Sequence, residues 1–196
     1  MARTADLQAA NAKLRELSIR DGLTGLFNRR AMEDKLSDLH GLAVRYGNAY
    51  SVAIVDIDHF KNYNDRLGHI AGDDAIIRIS RLLACTIRES DSVYRYGVEE
   101  FLIAMPETEA EGASFLAERI RRSVRSAAIV HPDSSVGSYV TISLGYAGVK
   151  RQEVLDHAGW EDVVGAADRA LYRAKETGRN RCVMSNAMHR GPAFTP

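Results

Sequence analysis

A chain of 196 residues, 45% hydrophobic and 27% charged, has the size and composition of one well-buried domain with an appendage and is too short for two. Lysine plus arginine number 26 and aspartate plus glutamate 26, so the formal net charge is zero, which excludes the broad basic face of a nucleic-acid binder and leaves phosphate chemistry to a few local cations. No apolar run approaches the ~20 residues of a membrane span, and the N-terminal stretch has no apolar signal-peptide core.

"MARTADLQAANAKLREL" predicts an amphipathic helix over residues 1–20, with Leu7, Ala10, Leu14 and Leu17 at heptad steps. Such a short seam does not hold a coiled coil alone. It reads either as the end of a longer dimeric stalk or as an ordinary helix packed on its own domain. "DGLTGLFNRR" breaks that helix with turn formers, and Asn28 is placed to cap a helix over 29–46. "YSVAIV" (50–55) predicts a buried strand, continuous and apolar. A short polar segment follows, then a helix over 73–88. "SVYRY" and "EFLIAM" predict a hairpin around Gly97-Val98, with Gly97 first in a type II′ turn. A helix over 109–126, the loop "HPDSSVGS", a strand over 139–147 and a helix over 160–177 complete the pattern. "CVMS" is a candidate edge strand, and residues 187–196 read as a frayed, flexible tail. Cys85 and Cys182 lack metal spacing and read as reduced, packed thiols of a cytosolic chain; the six histidines lack the i, i+4 spacing of a helical zinc site.

Taken in order, the central elements are β-α-β-β-α-β, which predicts an α+β fold: a ferredoxin-like or palm core with a central antiparallel sheet flanked by helices. In that topology the hairpin tip lies at the same sheet edge as the end of the first strand. Asp56 or Asp58 then meets Glu99 and Glu100 from a distant segment. Close carboxylates do not all stay ionised without a cation, and Mg²⁺ suits a cluster of hard oxygens completed by water and substrate phosphates. Lys61 lies just past the strand, in place for a phosphate. Asn64 and Asp73 are candidates for reading a base, since a carboxylate accepts from the N1–H and 2-amino edge of guanine together; each is equally a helix cap. Lys175 and Arg179, four apart near a helix end, read as solvated charges favourable to the helix dipole or, beside the acids, as triphosphate clamps.

Six motifs, "DGLTGLFNRR", "VDIDHFKNYND", "GHIAGDD", "RYGVEEF", "TISLGYA" and "ADRALYRAKETGRN", resemble in order and spacing those of the GGDEF domains, the bacterial diguanylate cyclases. The resemblance covers about residues 18–185 and divides the chain into a stalk over 1–20, a GGDEF domain over 21–186 and the tail. It implies condensation of two GTP molecules into cyclic di-GMP with release of two pyrophosphates, by a two-metal phosphoryl transfer using Mg²⁺ or Mn²⁺ across a homodimer. Asp56, Glu99 and Glu100 would be catalytic metal ligands, assisted by the Ile57 carbonyl. His59 and Phe60 would offer amides, and Lys61 a charge, to the phosphates. Asn64 and Asp73 would hold guanine beside the Gly97-Val98 tip, with Lys175 and Arg179 on the terminal phosphates. Arg88-x-x-Asp91 resembles the family's product-binding inhibitory site, with Arg119 or Arg122 as a further contact, although the same spacing also makes a simple i, i+3 ion pair. The resemblance further implies an upstream sensory or receiver domain outside this chain. It places the domain in the bacterial cytoplasm, free or as the cytoplasmic part of a membrane-anchored protein.

The chain departs from the family signature at Val98, where the family has a second glycine. Glycine allows close approach of backbone to ligand, and an isopropyl group does not. Two expectations therefore compete: an active cyclase, slowed by the valine, and a degenerate domain that binds GTP or cyclic di-GMP without turnover.

Overall fold

The computed structural model describes residues 19–150 and 159–185. The expected stalk helix, beyond Ile19 and Arg20, and the expected tail lie outside the described residues. Five strands, β1 (Tyr50–Ile57), β2 (Ser92–Arg95), β3 (Glu100–Pro106), β4 (Ile142–Val149) and β5 (Cys182–Met184), form one sheet in the order β2-β3-β1-β4-β5. The first four are antiparallel neighbours, and β5 adds to β4 in parallel, so the sheet is mixed. "CVMS" is thus an edge strand, as its composition suggested.

β1 lies at the centre and all eight of its residues are buried, which explains its continuous apolar run. Alternate side chains feed two cores. Val55, Ile57, Phe101, Ile103 and Leu144 face α2 (Phe60–Leu67), α3 (His69–Thr86) and α4 (Ala110–Ser126). Val52, Ile54, Leu102 and Ala104 face α1 (Arg29–Tyr46) and α5 (Trp160–Glu176). Asn28 caps α1, accepting from the Ala31 N–H at 3.1 Å.

Four local expectations fail. The polar segment after β1 is the helix α2, anchored by buried Phe60 and Tyr63 three residues apart; its third apolar residue, Leu67, stays exposed, and eight residues are too short a window to establish a period. α3 starts at His69 rather than 73, because Gly68 at φ 85° is enough to turn the chain directly from α2 into it. β4 starts at Ile142 rather than 139, since Tyr139 makes only an isolated bridge to Val130. The hairpin is not a type II′ turn. Residues 96–99 form a wider loop in which the Tyr96 and Gly97 N–H groups both donate to the Glu100 carbonyl, and Gly97 is absent from the positive-φ residues. A Cβ at Gly97 would stand 2.5 Å from Glu100 Oε2, the movable end of a flexible side chain, so a substituent there would oblige that carboxylate to shift. The thiols also differ from expectation. Both are free, but Cys85 is exposed; Cys182 is part-buried against the core, and burial pushes its thiol up to about 12.

At Gly145 on β4 the sheet meets the backbone of α5 at Ala167 and Leu171. A Cβ there would lie 2.0 Å from the Leu171 nitrogen and 2.2 Å from the Ala167 oxygen, neither of which can swing aside. Gly145→Ala is expected to cost about 3 kcal/mol by forcing α5 off the sheet. Urea unfolding would show it as a lower midpoint, and an unchanged midpoint would contradict this packing.

Candidate functional site

The β1–β3 register sets Asp56 opposite Glu100, and the Ile57 N–H donates to the Glu99 carbonyl at 3.3 Å. Two segments far apart in sequence are thereby fixed at one sheet edge. Asp56 continues the Val52–Ile54 face of β1, the face that α5 covers. Lys175, on the last turn of α5, consequently reaches it, with Nζ 2.7 Å from Asp56 Oδ2. Asp56 is only 5% exposed. Burial drives its carboxyl up to about 6; Lys175 opposes the rise, while Glu100 and Glu99 add to it. Burial also raises Glu99, again opposed by Lys175 and assisted by Glu100. Three carboxylates thus share one ammonium group, an arrangement with an unmet demand for positive charge.

Asp58 is a different kind of acid. Its carboxylate accepts from Thr141 Oγ1 at 2.7 Å, Ser143 Oγ at 2.6 Å and the Asn180 N–H at 3.0 Å. It is a buried knot tying β1 to β4 and to the turn after α5, with three donors already occupying its two oxygens. Of the two aspartates offered as ligands by the sequence, Asp56 is the one left with free acceptor capacity.

His59 sits between strand and helix in left-handed backbone, φ 56° and ψ 30°, at a cost of ~1 kcal/mol. Its ring faces Ser135 Oγ at 2.9 Å, and burial together with the nearby Arg179 holds its imidazole below the ordinary range. Phe60 is buried as the first residue of α2, and Lys61 is exposed beside it. Arg179 also takes left-handed backbone, φ 60°, and its N–H returns to the Ala174 carbonyl at 2.9 Å, so the end of α5 bends back toward the same edge.

Asn64 on α2 lies across Gly72 on α3. A Cβ at residue 72 would stand 1.8 Å from Asn64 Oδ1, and that oxygen is buried with no hydrogen-bond partner among the described residues. A buried acceptor without a donor costs ~1–3 kcal/mol and points to a missing one. Asp73, the next residue along, is exposed. Val98 at the hairpin tip is 71% exposed. Its carbonyl accepts from Arg95 Nη2 at 3.1 Å, while Arg95 Nη1 forks to both oxygens of Asp21 at 3.0 and 3.1 Å. The "DGLT" turn therefore braces the tip.

Arg88 and Asp91 are elsewhere, lining a cavity of about 190 Å³ with Thr108, Phe115 and Arg119. They do not form the side-chain ion pair that their spacing allowed. Asp91 Oδ2 accepts from the Arg88 main-chain N–H at 3.0 Å. Arg122 is not among the lining residues and pairs with Glu118 at 2.8 Å. The sequence reading missed His131, Ser135, Asn180 and the Arg95–Asp21 brace. Thr141 and Ser143, polar side chains alternating on an otherwise apolar strand, were the one available sign of the Asp58 knot.

Among the described residues, no three His, Cys, Asp or Glu side chains are gathered as a ready cation cage. Mg²⁺ does not require one, since it commonly takes one or two carboxylates and fills its octahedron with water and phosphate. Asp56 and Glu99, desolvated and short of positive charge, fit that ion.

A profile of the family described as "Diguanylate cyclase, GGDEF domain" matches residues 18–181. The chain is 36% identical over 169 residues to the probable diguanylate cyclase DgcC of Escherichia coli (strain K12), covering 86% of this chain and 44% of that protein. Among solved structures, the coiled coil and GGDEF domain of DgcB from Caulobacter crescentus, in complex with c-di-GMP, matches with a TM-score of 0.83 and 31% identity, covering 93% of this chain and 94% of that one. The active GGEEF domain of a diguanylate cyclase from Vibrio cholerae matches with a TM-score of 0.72 and 30% identity, covering 82% and 98%. The chain spans less than half the length of the curated relatives it matches.

The buried acid has a consequence for stability. Asp56 loses its proton near 3.8 when unfolded and near 6 when folded, so the folded state holds more protons between those values. Stability should then fall as pH rises from about 4 to about 6, and Asp56→Asn should remove the larger part of that fall, the raised Glu99 carboxyl keeping the rest. At pH 7.5 the variant is expected to be about 1–2 kcal/mol more stable than the parent, after loss of the Lys175 contact is allowed for. Urea midpoints at pH 4.5 and 7.5 check this; an equal or lower midpoint for the variant at pH 7.5 contradicts it.

Proposed function

Because the chain belongs to the GGDEF family of diguanylate cyclases, we propose that this sheet edge binds GTP with Mg²⁺ or Mn²⁺ and makes cyclic di-GMP. The observation that carries the reading is the convergence of buried Asp56 with the Glu99-Glu100 tip around a single lysine. Asp56, Glu99 and Glu100 would hold the metal ions, with the Ile57 carbonyl as a further oxygen. When bound, the metal polarises the α-phosphate, activates the 3′-hydroxyl and stabilises the leaving pyrophosphate. The His59 and Phe60 amides and the Lys61 ammonium would donate to phosphate oxygens at the start of α2. Lys175 and Arg179 would clamp the terminal phosphates, Lys175 turning its ammonium from Asp56 toward the nucleotide. Asn64 Oδ1, buried and unpartnered, accepts from the guanine edge, with Asp73 beside it.

Each site holds one GTP, so the reaction needs two copies facing one another. The 3′-oxygen of each nucleotide attacks the α-phosphorus of the other, breaking the α–β anhydride bond and releasing pyrophosphate and a proton. Two such steps close the ring. The cavity at Arg88, Asp91 and Arg119 takes the product as an inhibitor, and Arg122 joins only if it leaves Glu118. A bacterial cytoplasmic setting, where GTP is held, and an upstream sensory or receiver domain belong to the same reading. No helix among the described residues is long and apolar enough to cross a membrane.

Val98 supports a second reading, a receptor that binds GTP or cyclic di-GMP without turnover, since its isopropyl group stands exposed where the nucleotide would approach. The GGEEF relative described as active differs from this chain at that position. Incubation of the purified chain with GTP and Mg²⁺, followed by chromatography, separates the two. Cyclic di-GMP is expected, with Glu99→Gln lowering turnover at least ~100-fold and Val98→Gly raising it. Product from Val98→Gly and none from the parent would establish the receptor. Arg88→Ala is expected to keep product accumulating after the parent has slowed; identical progress curves would exclude inhibition through that cavity.

A further inference from the structure

Resting on the GTP reading, we propose that His131 is a positioning residue for phosphate binding, locking the His59–Phe60 peptide so that the Phe60 amide faces the nucleotide. His131 is 1% exposed, and its Nε2 lies 3.1 Å from the His59 carbonyl oxygen. A carbonyl only accepts, so Nε2 carries the proton and Nδ1 is the bare acceptor. That Nδ1 is itself buried without a hydrogen-bond partner among the described residues. The ring packs edge-on to Tyr63, with centroids 5.2 Å apart and planes at 85°. A phenylalanine would fill such a place with no orphaned nitrogen. What the histidine adds is one N–H, and it is spent on His59.

The His59 carbonyl also accepts from the Tyr63 N–H at 3.1 Å, which closes the first turn of α2. Two donors on one carbonyl fix the peptide plane. In a trans peptide the Phe60 N–H then points opposite to that carbonyl, out of the N-terminal end of α2. The segment carrying His131 grips the same residue twice, because Ser135 Oγ meets His59 Nε2 at 2.9 Å. Arg66 on α2 and Asp133 hold that segment along the helix at 3.8 Å. His59 needs such a grip: its left-handed backbone is one a side-chain-bearing residue keeps only where its surroundings impose it. Asp58 and Arg179 act on the His59 imidazole as charges, but neither supplies a donor to its carbonyl.

The test uses the full chain and two variants. His131→Phe keeps the bulk and removes the donor, whereas His131→Gln keeps an N–H at similar reach. Amide hydrogen exchange over residues 60–63 is measured without nucleotide, and affinity for a non-hydrolysable GTP analogue with Mg²⁺ by calorimetry. His131→Phe is expected to raise exchange and weaken the analogue each by about tenfold, and His131→Gln to recover both to within about threefold. Cyclic di-GMP binding at the Arg88 cavity serves as the control for an intact fold. A His131→Phe protein that exchanges and binds like the parent overturns the proposal, as does a His131→Gln protein equally impaired. A parent that binds no analogue overturns the GTP reading instead, and the exchange comparison still confirms or removes the His131 clamp.

Discussion

Three carboxylates held at one sheet edge against a single ammonium group set the terms for the rest of this molecule. Asp56 is buried by the sheet and by α5, and its acidity is weakened to about 6 as a result. Nothing in folding rewards that placement, because an apolar residue would fill the same site without desolvating a charge. On the proposed reading a cation and a polyphosphate complete the arrangement, and Lys175, which balances Asp56 in the free protein, would then turn to the nucleotide.

The surrounding structure acts to keep that conflict in place. The central antiparallel pair fixes Asp56 against Glu100 through a ladder of seven residue pairs, so neither acid can slide from the other without breaking the core. Asp58, one residue past the strand, is fully satisfied and joins β1 to β4 and to the Arg179–Asn180 turn. The Arg95 fork carries the other side of the site, linking the hairpin tip to the "DGLT" turn that follows the N-terminal segment. The backbone strain at His59 and Arg179 lies at the same edge, where it is held by contacts from elsewhere.

The features legible in the sequence were those with a local physical signature. β1 showed as an unbroken apolar run, α1 as a capped amphipathic helix, and the site acids as polar residues interrupting a buried strand and crowding a glycine. α2 did not stand out because it is only eight residues long and mostly polar, too short a window for its three apolar positions to establish a period. The hairpin turn is not legible at Gly97 because glycine suggests a tight two-residue turn, whereas this one has no positive φ and closes through two N–H groups on the Glu100 carbonyl. The Arg88–Asp91 spacing does bring the two residues together, but a separation of three residues does not say whether side chain or main chain answers the carboxylate, and here it is the main chain.

From its residues alone this chain determined the order of its elements and hence, by the topology of a split βαβ unit, which sheet edge would collect the acids. Motif order also determined its family. Tertiary structure alone decided which acids remain available: Asp56 and Asp58 are indistinguishable as letters, and only the hydroxyls of Thr141 and Ser143, brought from more than eighty residues away, consume one and leave the other. It likewise decided the company of His59, because the distance between a turn and the loop that braces it is set by packing and is written in no local pattern.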